Sequence, residues 1–358
     1  MRRLQLAGVA LSDARLVFAG ASSLATLIGG FGERPSKGLR QHRSQVPELI
    51  GGTAEWQPLS AAFASDRGGH AVDALSENLI IMHGGYGHGT QQGNLADVWA
   101  ASNLADDNTP PRWRQLSPEG TAPSARAGHT LTAVSTTELV LFGGFGQQGF
   151  DDVHILRVDS DDGESSSWRE LVVTGDTPGP RCAHAAAALP CSEGTRRRLI
   201  TFGGYTASHG ADAALSLLTI SENGDAGCWE PLHAAEPDDG LSTPLQRSGH
   251  SAAVASGERL LVFGGTCDDL RTGGTHVLGD ALCLDVSDEG LERLRYPDGG
   301  ARWQRLEIDA DEEELARYNH AAALAVHGDE AILLVVGGTD ESHMPMETAF
   351  ALVVPPGE

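Results

Sequence analysis

Two residue types recur in this chain at a spacing that could do chemistry. Arginine is followed three residues later by histidine at Arg67 and His70, Arg126 and His129, Arg181 and His184, Arg247 and His250, and Arg317 and His320. Arg15, with Phe18 three residues on, stands where a degenerate first copy should stand. A guanidinium forks onto carboxylates and phosphates. If each arginine opens an equivalent strand, then Arg15, Arg67, Arg126, Arg181, Arg247 and Arg317 ring one mouth of a channel and bind a small anion there. The competing reading is a ladder of ion pairs with Asp97, Asp152, Asp212, Asp280 and Glu347, one acid per repeat. Occurrence once per repeat favours architecture, because a site rarely needs six equal parts. The histidines invite a metal, but equivalent side chains around a ring stand too far apart to share an ion at bond lengths of ~2 Å. They are read as hydrogen-bonded structural groups, and neither a catalytic residue nor a metal or cofactor is expected.

These residues must be positioned by repeated elements. A short apolar run ends in a glycine pair at Ile80–Gly85, Leu139–Gly144, Leu199–Gly204, Leu260–Gly265 and Leu333–Gly338, with a degenerate copy at Ala25–Gly30. Such runs suit strands buried on both faces, and the glycines suit places where another backbone approaches closely. The copies recur roughly 55–75 residues apart, which marks a repeat architecture. Small residues follow each histidine, as in Ala185-Ala186-Ala187 and Ala321-Ala322-Ala323, and suit innermost strands crowded around an axis. An acid-led strand follows each glycine pair. A tryptophan strand comes next, at Trp56, Trp113, Trp168, Trp229 and Trp303, each with leucine three residues on. Each tryptophan can wedge between neighbouring sheets. Four short strands per unit, arranged radially, make an all-β propeller.

Arginine-x-x-histidine, apolar-glycine-glycine and tryptophan-x-x-leucine, in that order and recurring, resemble the kelch family over almost the whole chain. The long spacing resembles the subgroup of Rab-effector-like kelch proteins, the kelch part of a leucine carboxyl methyltransferase and plant nitrile-specifier proteins. The last unit lacks a tryptophan strand, and Arg3-Leu4-Gln5-Leu6 can supply it. The expectation is one six-bladed kelch-type β-propeller with four-stranded blades. The approximate blades are 15–60, 67–118, 126–173, 181–234, 247–308 and 317–354 plus 3–7, the N-terminal strand closing the ring. Met1-Arg2-Arg3 before Leu4–Leu11 also resembles a weak targeting peptide, but the clasp gives these residues a structural use.

Kelch resemblance implies a non-enzymatic protein-interaction scaffold or adaptor, with partners docking on the loop face at the glycine-pair end. Tyr86, His88, Phe145, Tyr205, His209, Arg271 and His343 are the candidate contacts, beside a basic loop of Arg34, Lys37, Arg40, His42 and Arg43. A metal-dependent lyase or oxidase of the kelch/galactose-oxidase type is the alternative; Asp268, Asp269 and His276 form its least poor ligand set. Anion binding at the arginine mouth is a further alternative. The 358-residue chain has a formal net charge of -24, which argues against nucleic acid and anionic membranes as partners. Five cysteines without zinc-like spacing suggest buried thiols in a reducing, cytoplasmic or nuclear setting. The expected partner is a protein or peptide segment, and the expected state a monomer.

Overall fold

A computed structural model describes residues 2–6, 12–18, 24–31, 41–45, 57–58, 66–88, 92–102, 104, 111–160, 163–190, 197–239, 245–255, 258–269, 274–327 and 330–354. Each apolar run before a glycine pair becomes the second strand of an antiparallel sheet. Six sheets of four or five strands form, with one small two-stranded sheet at Tyr205–Thr206 and Gly210–Ala211. The first sheet holds Ser12–Phe18, Leu24–Phe31, Gln41–Gln45 and Gln57–Pro58. The second runs from Arg67–Gly68 and Ala71–Ser76 through Leu79–Gly87 and Gly93–Ser102 to Arg112–Leu116. The third, fourth, fifth and sixth begin at Thr130–Ala133, Ala185–Leu189, Ser251–Ala255 and Ala321–His327. These inner strands neighbour one another in chain order, and the sixth meets the first, so the ring is closed. Five of the sheets carry the full arginine, histidine and glycine-pair signature; the first lacks it.

Closure uses the N-terminus. Arg2–Leu6 pairs antiparallel with Ala349–Val354, from Arg2 opposite Val353 to Leu6 opposite Ala349. It thereby supplies the outer strand of the last sheet and covers an edge that would otherwise present unpaired backbone groups. The third and fourth sheets gain an outer parallel strand, Glu119–Gly120 and Val172–Gly175, from the chain entering them.

The core lies between sheets. Apolar clusters join the first sheet to the second, the second to the third, and so on to the sixth, which packs back on the first. The tryptophans wedge as expected: Trp229 of the fourth sheet lies 4.9 Å from Phe142 of the third, and Trp303 of the fifth 4.9 Å from Phe202 of the fourth. In the sixth sheet Phe350 takes this role against Phe263, with ring centroids 5.5 Å apart. Trp56 lies outside the described residues. Cys267 and Cys283 are buried, but Cys228 is exposed and Cys182 half-buried, so burial does not hold for every thiol.

Candidate functional site

The repeated arginines form the seams between sheets. Arg67, Arg126, Arg181, Arg247 and Arg317 are all buried. Nη1 of each donates to the carbonyl of the first glycine of its own sheet's pair, at 3.0 Å for Gly84, 2.9 Å for Gly143, 2.7 Å for Gly203, 3.1 Å for Gly264 and 3.0 Å for Gly337. The guanidinium also pairs with the acid that opens the third strand: Asp97 at 2.6 Å, Asp152 at 2.6 Å, Asp212 at 3.1 Å and Asp280 at 2.9 Å. Burial alone would raise the Asp97 and Asp280 carboxyls, but the arginine charges and bonds outweigh it and hold both below the ordinary carboxylate range.

Two sequence expectations change here. These five guanidiniums do not ring the channel mouth; they are turned into the sheets and paired there. In the sixth sheet the partner is not Glu347, which is exposed, but the next residue: Arg317 donates to the Thr348 hydroxyl at 2.9 Å. Thr348 precedes Ala349 opposite Val336, as Asp152 precedes Val153 opposite Phe142.

The glycine pair exists because backbones meet there. The second glycine donates its N–H to the arginine carbonyl of the following sheet: Gly85 to Arg126 at 2.9 Å, Gly144 to Arg181 at 2.8 Å, Gly204 to Arg247 at 2.8 Å and Gly265 to Arg317 at 2.9 Å. Gly143, at φ +68°, has no room for a side chain: a Cβ would sit 2.8 Å from the Arg181 carbonyl oxygen and 2.9 Å from His184 Cε1. The histidines reach across the same seams. His129 Nε2 lies 2.9 Å from His83 Nδ1, His184 Nε2 lies 3.1 Å from Thr130 Oγ1, and His320 Nε2 lies 2.9 Å from Ser251 Oγ. Burial, reinforced by Arg181 and by Arg317, pushes His184 and His320 down to about 3, so both are neutral near pH 7. His129, His184 and His320 thus act as hydrogen-bonded structural groups, in keeping with the sequence, whereas the equally buried His70 and His250 make no such side-chain contact.

The channel mouth is built from backbone. N–H groups donate around it from Gly128 to Gly69, Ala183 to Gly128, Gly249 to Ala183, Asn319 to Gly249 and Asp13 to Asn319, all at 2.7–2.8 Å. All six residues have positive φ, between 52° and 68°. Asp13 therefore occupies the place of Gly69. Arg15, opposite Ile28, occupies the place of Ala71 and Thr130, not that of Arg67. The sequence alignment of Arg15 with the other arginines is four positions out, and the side chain faces the bore instead.

The face at the glycine-pair end carries exposed aromatics. The residue after each pair is fixed by a backbone bridge to the residue after the arginine: Tyr86 to Gly68, Phe145 to Ala127 and Tyr205 to Cys182. The backbone thus caps the sheet end while the side chain points out. Tyr86 is 38% exposed, Phe145 51%, Tyr205 49% and Met344 54%. His88 stacks edge-on to Tyr86 at 5.7 Å, His209 Nδ1 lies 2.7 Å from Ser208 Oγ, and His343 Nδ1 lies 2.7 Å from the Tyr318 hydroxyl. Arg271 and the loop of Arg34, Lys37 and Arg40 lie outside the described residues, as do the side chains of His42 and Arg43. A polar groove of about 600 Å³ opens beside Phe145, lined by Asn94, Ser124, Gln147, Gln148 and Phe150. Sequence reading missed Met344 and most of this groove, since these residues follow no repeat; it also missed Tyr318, although that residue holds the repeat position after Arg317 and is bridged to Thr339.

Among the described residues, no group of three or more histidine, cysteine or acidic side chains is placed to hold a metal. Asp268 instead accepts from the Ala211 N–H at 2.9 Å, and His276 lies 3.7 Å from Glu341.

A closed ring of radial sheets, locked by arginine, histidine and glycine pairs, defines a kelch-repeat β-propeller. The chain belongs to the family described as the KLHDC2/KLHL20/DRC7 kelch-repeats domain, whose model matches residues 26–189 and again 161–353. It is 32% identical over 228 residues to adagio-like protein 3 of Oryza sativa subsp. japonica, covering 61% of this chain and 32% of that protein. It is 26% identical over 290 residues to an F-box/kelch-repeat protein of Arabidopsis thaliana, covering 78% of this chain and 53% of that one. The chain thus spans between about a third and a half of these relatives. Among solved structures, a cryo-EM complex of RAG with one melted and one unmelted RSS aligns with TM-score 0.60 at 14% identity, covering 99% of this chain and 100% of that chain. A copper-bound fungal alcohol oxidase of the AA5 family aligns with TM-score 0.55 at 16% identity, covering 96% of this chain and 62% of that chain. At these identities the likeness is one of fold. No helix among the described residues is long and apolar enough to cross a membrane.

Proposed function

We propose that this propeller is a non-enzymatic protein-interaction module that docks a protein or peptide segment on its glycine-pair face. One observation carries the reading. Of the six exposed large hydrophobic residues among those described, four lie on this face: Tyr86, Phe145, Tyr205 and Met344. Tyr86, Phe145 and Tyr205 occupy the same repeat position on three successive sheets, so they form a row held by rigid backbone. Tyrosine and other aromatics are favoured at binding hot spots because they bury large area at small entropic cost. The scaffold's polar side chains are committed to seams, which leaves the loops to carry recognition. Membership of the kelch family and similarity to an F-box/kelch protein support an adaptor role. A photocrosslinking amino acid placed at Tyr205 should capture a discrete partner from extract. The same probe at Tyr296, exposed elsewhere on the surface, should not. Identical adducts from the two positions would reject this face.

A further inference from the structure

Arg15 is the arginine that the seams do not absorb. It lies on the innermost strand Ser12–Phe18, two residues inside the backbone ring of the channel mouth. Its guanidinium makes one hydrogen bond, from Nη1 to the Ala14 carbonyl at 3.0 Å, and no ion pair among the described residues. Most of its N–H groups are therefore left to whatever fills the bore. The contrast with Arg67, Arg126 and Arg247, each gripped by both oxygens of a carboxylate, is complete.

The bore around Arg15 is a cavity of about 180 Å³. Small side chains leave it open, and the hydroxyls of Thr130, Thr132 and Ser251 add hydrogen-bonding capacity. Arg15 lines this cavity together with His129, His184, His250 and His320, from four other sheets, and burial is the main cause that depresses all four histidines. Those histidines stay neutral and do not compete for an anion. Asp13, two residues before Arg15 and lining the same cavity, is the one nearby carboxyl on that strand. Burial raises it to about 6, against the opposing pull of Arg15.

We propose that the channel binds one small oxyanion, of sulfate, phosphate or short-dicarboxylate size, on the guanidinium of Arg15 just inside the mouth. A forked donor with unmet N–H groups in a concave, partly desolvated site is the arrangement that selects tetrahedral and planar oxyanions. The site depends on a single arginine peculiar to the first sheet, not on the repeated set. It is independent of the docking proposal, since its ligand sits in the bore.

Equilibrium dialysis with radiolabelled sulfate on the purified chain, at constant ionic strength set with chloride, tests this. The wild type should bind one sulfate per chain, displaced by phosphate and by malonate but not by added chloride. Arg15→Gln should abolish binding, while Arg112→Gln, at an exposed position, should leave it unchanged. Asp13→Asn removes the adjacent carboxyl, and at pH 7.5 it should tighten sulfate binding about two- to threefold. Asparagine is tolerated at that backbone conformation, as Asn319 at φ 53° shows, so this variant stays informative if Arg15→Gln misfolds. Absence of sulfate binding to the wild type, equal binding by folded Arg15→Gln, or no tightening in Asp13→Asn would each overturn the proposal.

Discussion

If the arginine–aspartate pairs are architecture, the loss on removing each acid must follow its burial. Asp280 is 1% exposed and grips Arg247, itself 0% exposed, through both oxygens at 2.9 and 3.2 Å; it also accepts from Arg305. Asp280→Ala strands a buried guanidinium, which costs about 3–5 kcal/mol. Asp97, Asp152 and Asp212 are 16%, 26% and 32% exposed, so water can replace progressively more of what each supplies. Asp212→Ala also strands a buried arginine, Arg181, but water reaches the vacated site, so it should cost less than Asp280→Ala, about 2 kcal/mol. An unfolding entropy of ~2.1 cal/mol/K per residue gives about 0.75 kcal/mol/K for the chain, so Asp280→Ala should lower Tm by about 4–7 °C. The assay is calorimetry on the wild type and the four single alanine variants under one buffer condition. Losses should rank Asp280, Asp97, Asp152, Asp212. Equal losses across the series, or a change below about 1 kcal/mol at Asp280, would refute the reasoning, because a buried charge cannot be left unpaired so cheaply.

Three further expectations concern the seam, the histidines and the clasp. Gly143→Ala combines a positive φ with a clash against Arg181 and His184, whereas Gly179, also at positive φ, has open space around it. Strain alone accounts for about 1 kcal/mol at Gly179→Ala, and Gly143→Ala should lose at least about 2 kcal/mol more in urea titrations; similar midpoints would remove the close-approach argument. His184 and His320 have folded pKa values near 3, below the unfolded value, so their stability contribution is complete above about pH 6.5 and is lost as pH falls toward 3. Each should withdraw up to about 2 kcal/mol by pH 5. Asp13 and Asp73, raised by burial to about 6, work the other way and return about 1 kcal/mol each between pH 7 and 5. With the other buried histidines added, the urea midpoint should fall over that interval; a midpoint that rises would contradict the placement of these rings. Deleting residues 1–6 removes the strand paired with Ala349–Val354. It should cost about 4 kcal/mol at ~1 kcal/mol per lost backbone hydrogen bond and expose an edge that self-associates, visible as concentration-dependent elution in size-exclusion chromatography.

The fold was legible because its constraints repeat. Gly84, Gly143, Gly203 and Gly264 each meet the next sheet's arginine carbonyl, so the glycine pair survives in every full copy. The ion-pair ladder was legible for the same reason. What failed was register where the signature is lost. Arg15 looked like a repeat arginine, but the strand pairing places it with Ala71 and Thr130, and the hydrogen bond from Asp13 to Asn319 agrees. Glu347 was one residue early because threonine replaces the acid beside Arg317. The face aromatics could be named from their position after the glycines. Their exposure could not, since the same sequence position is equally compatible with a ring folded over the sheet end. Gln147 could be placed on this face from its position after a glycine pair, but Met344 and Gln148 lie in loops that share no period and Asn94 at the start of a long strand, so no pattern announces them.

The central claim is a division of labour: the buried signature builds the ring, and we propose that the exposed glycine-pair face does the binding. It is tested most directly by measuring, with one purified partner recovered through the wild type, the affinity and the Tm of the triple variant Tyr86→Ser, Phe145→Ser and Tyr205→Ser. The account predicts binding weakened at least about tenfold, as for loss of interface anchors, with Tm within about 1 °C of wild type, as for exposed sites. Undiminished affinity in a fully folded triple variant would contradict it.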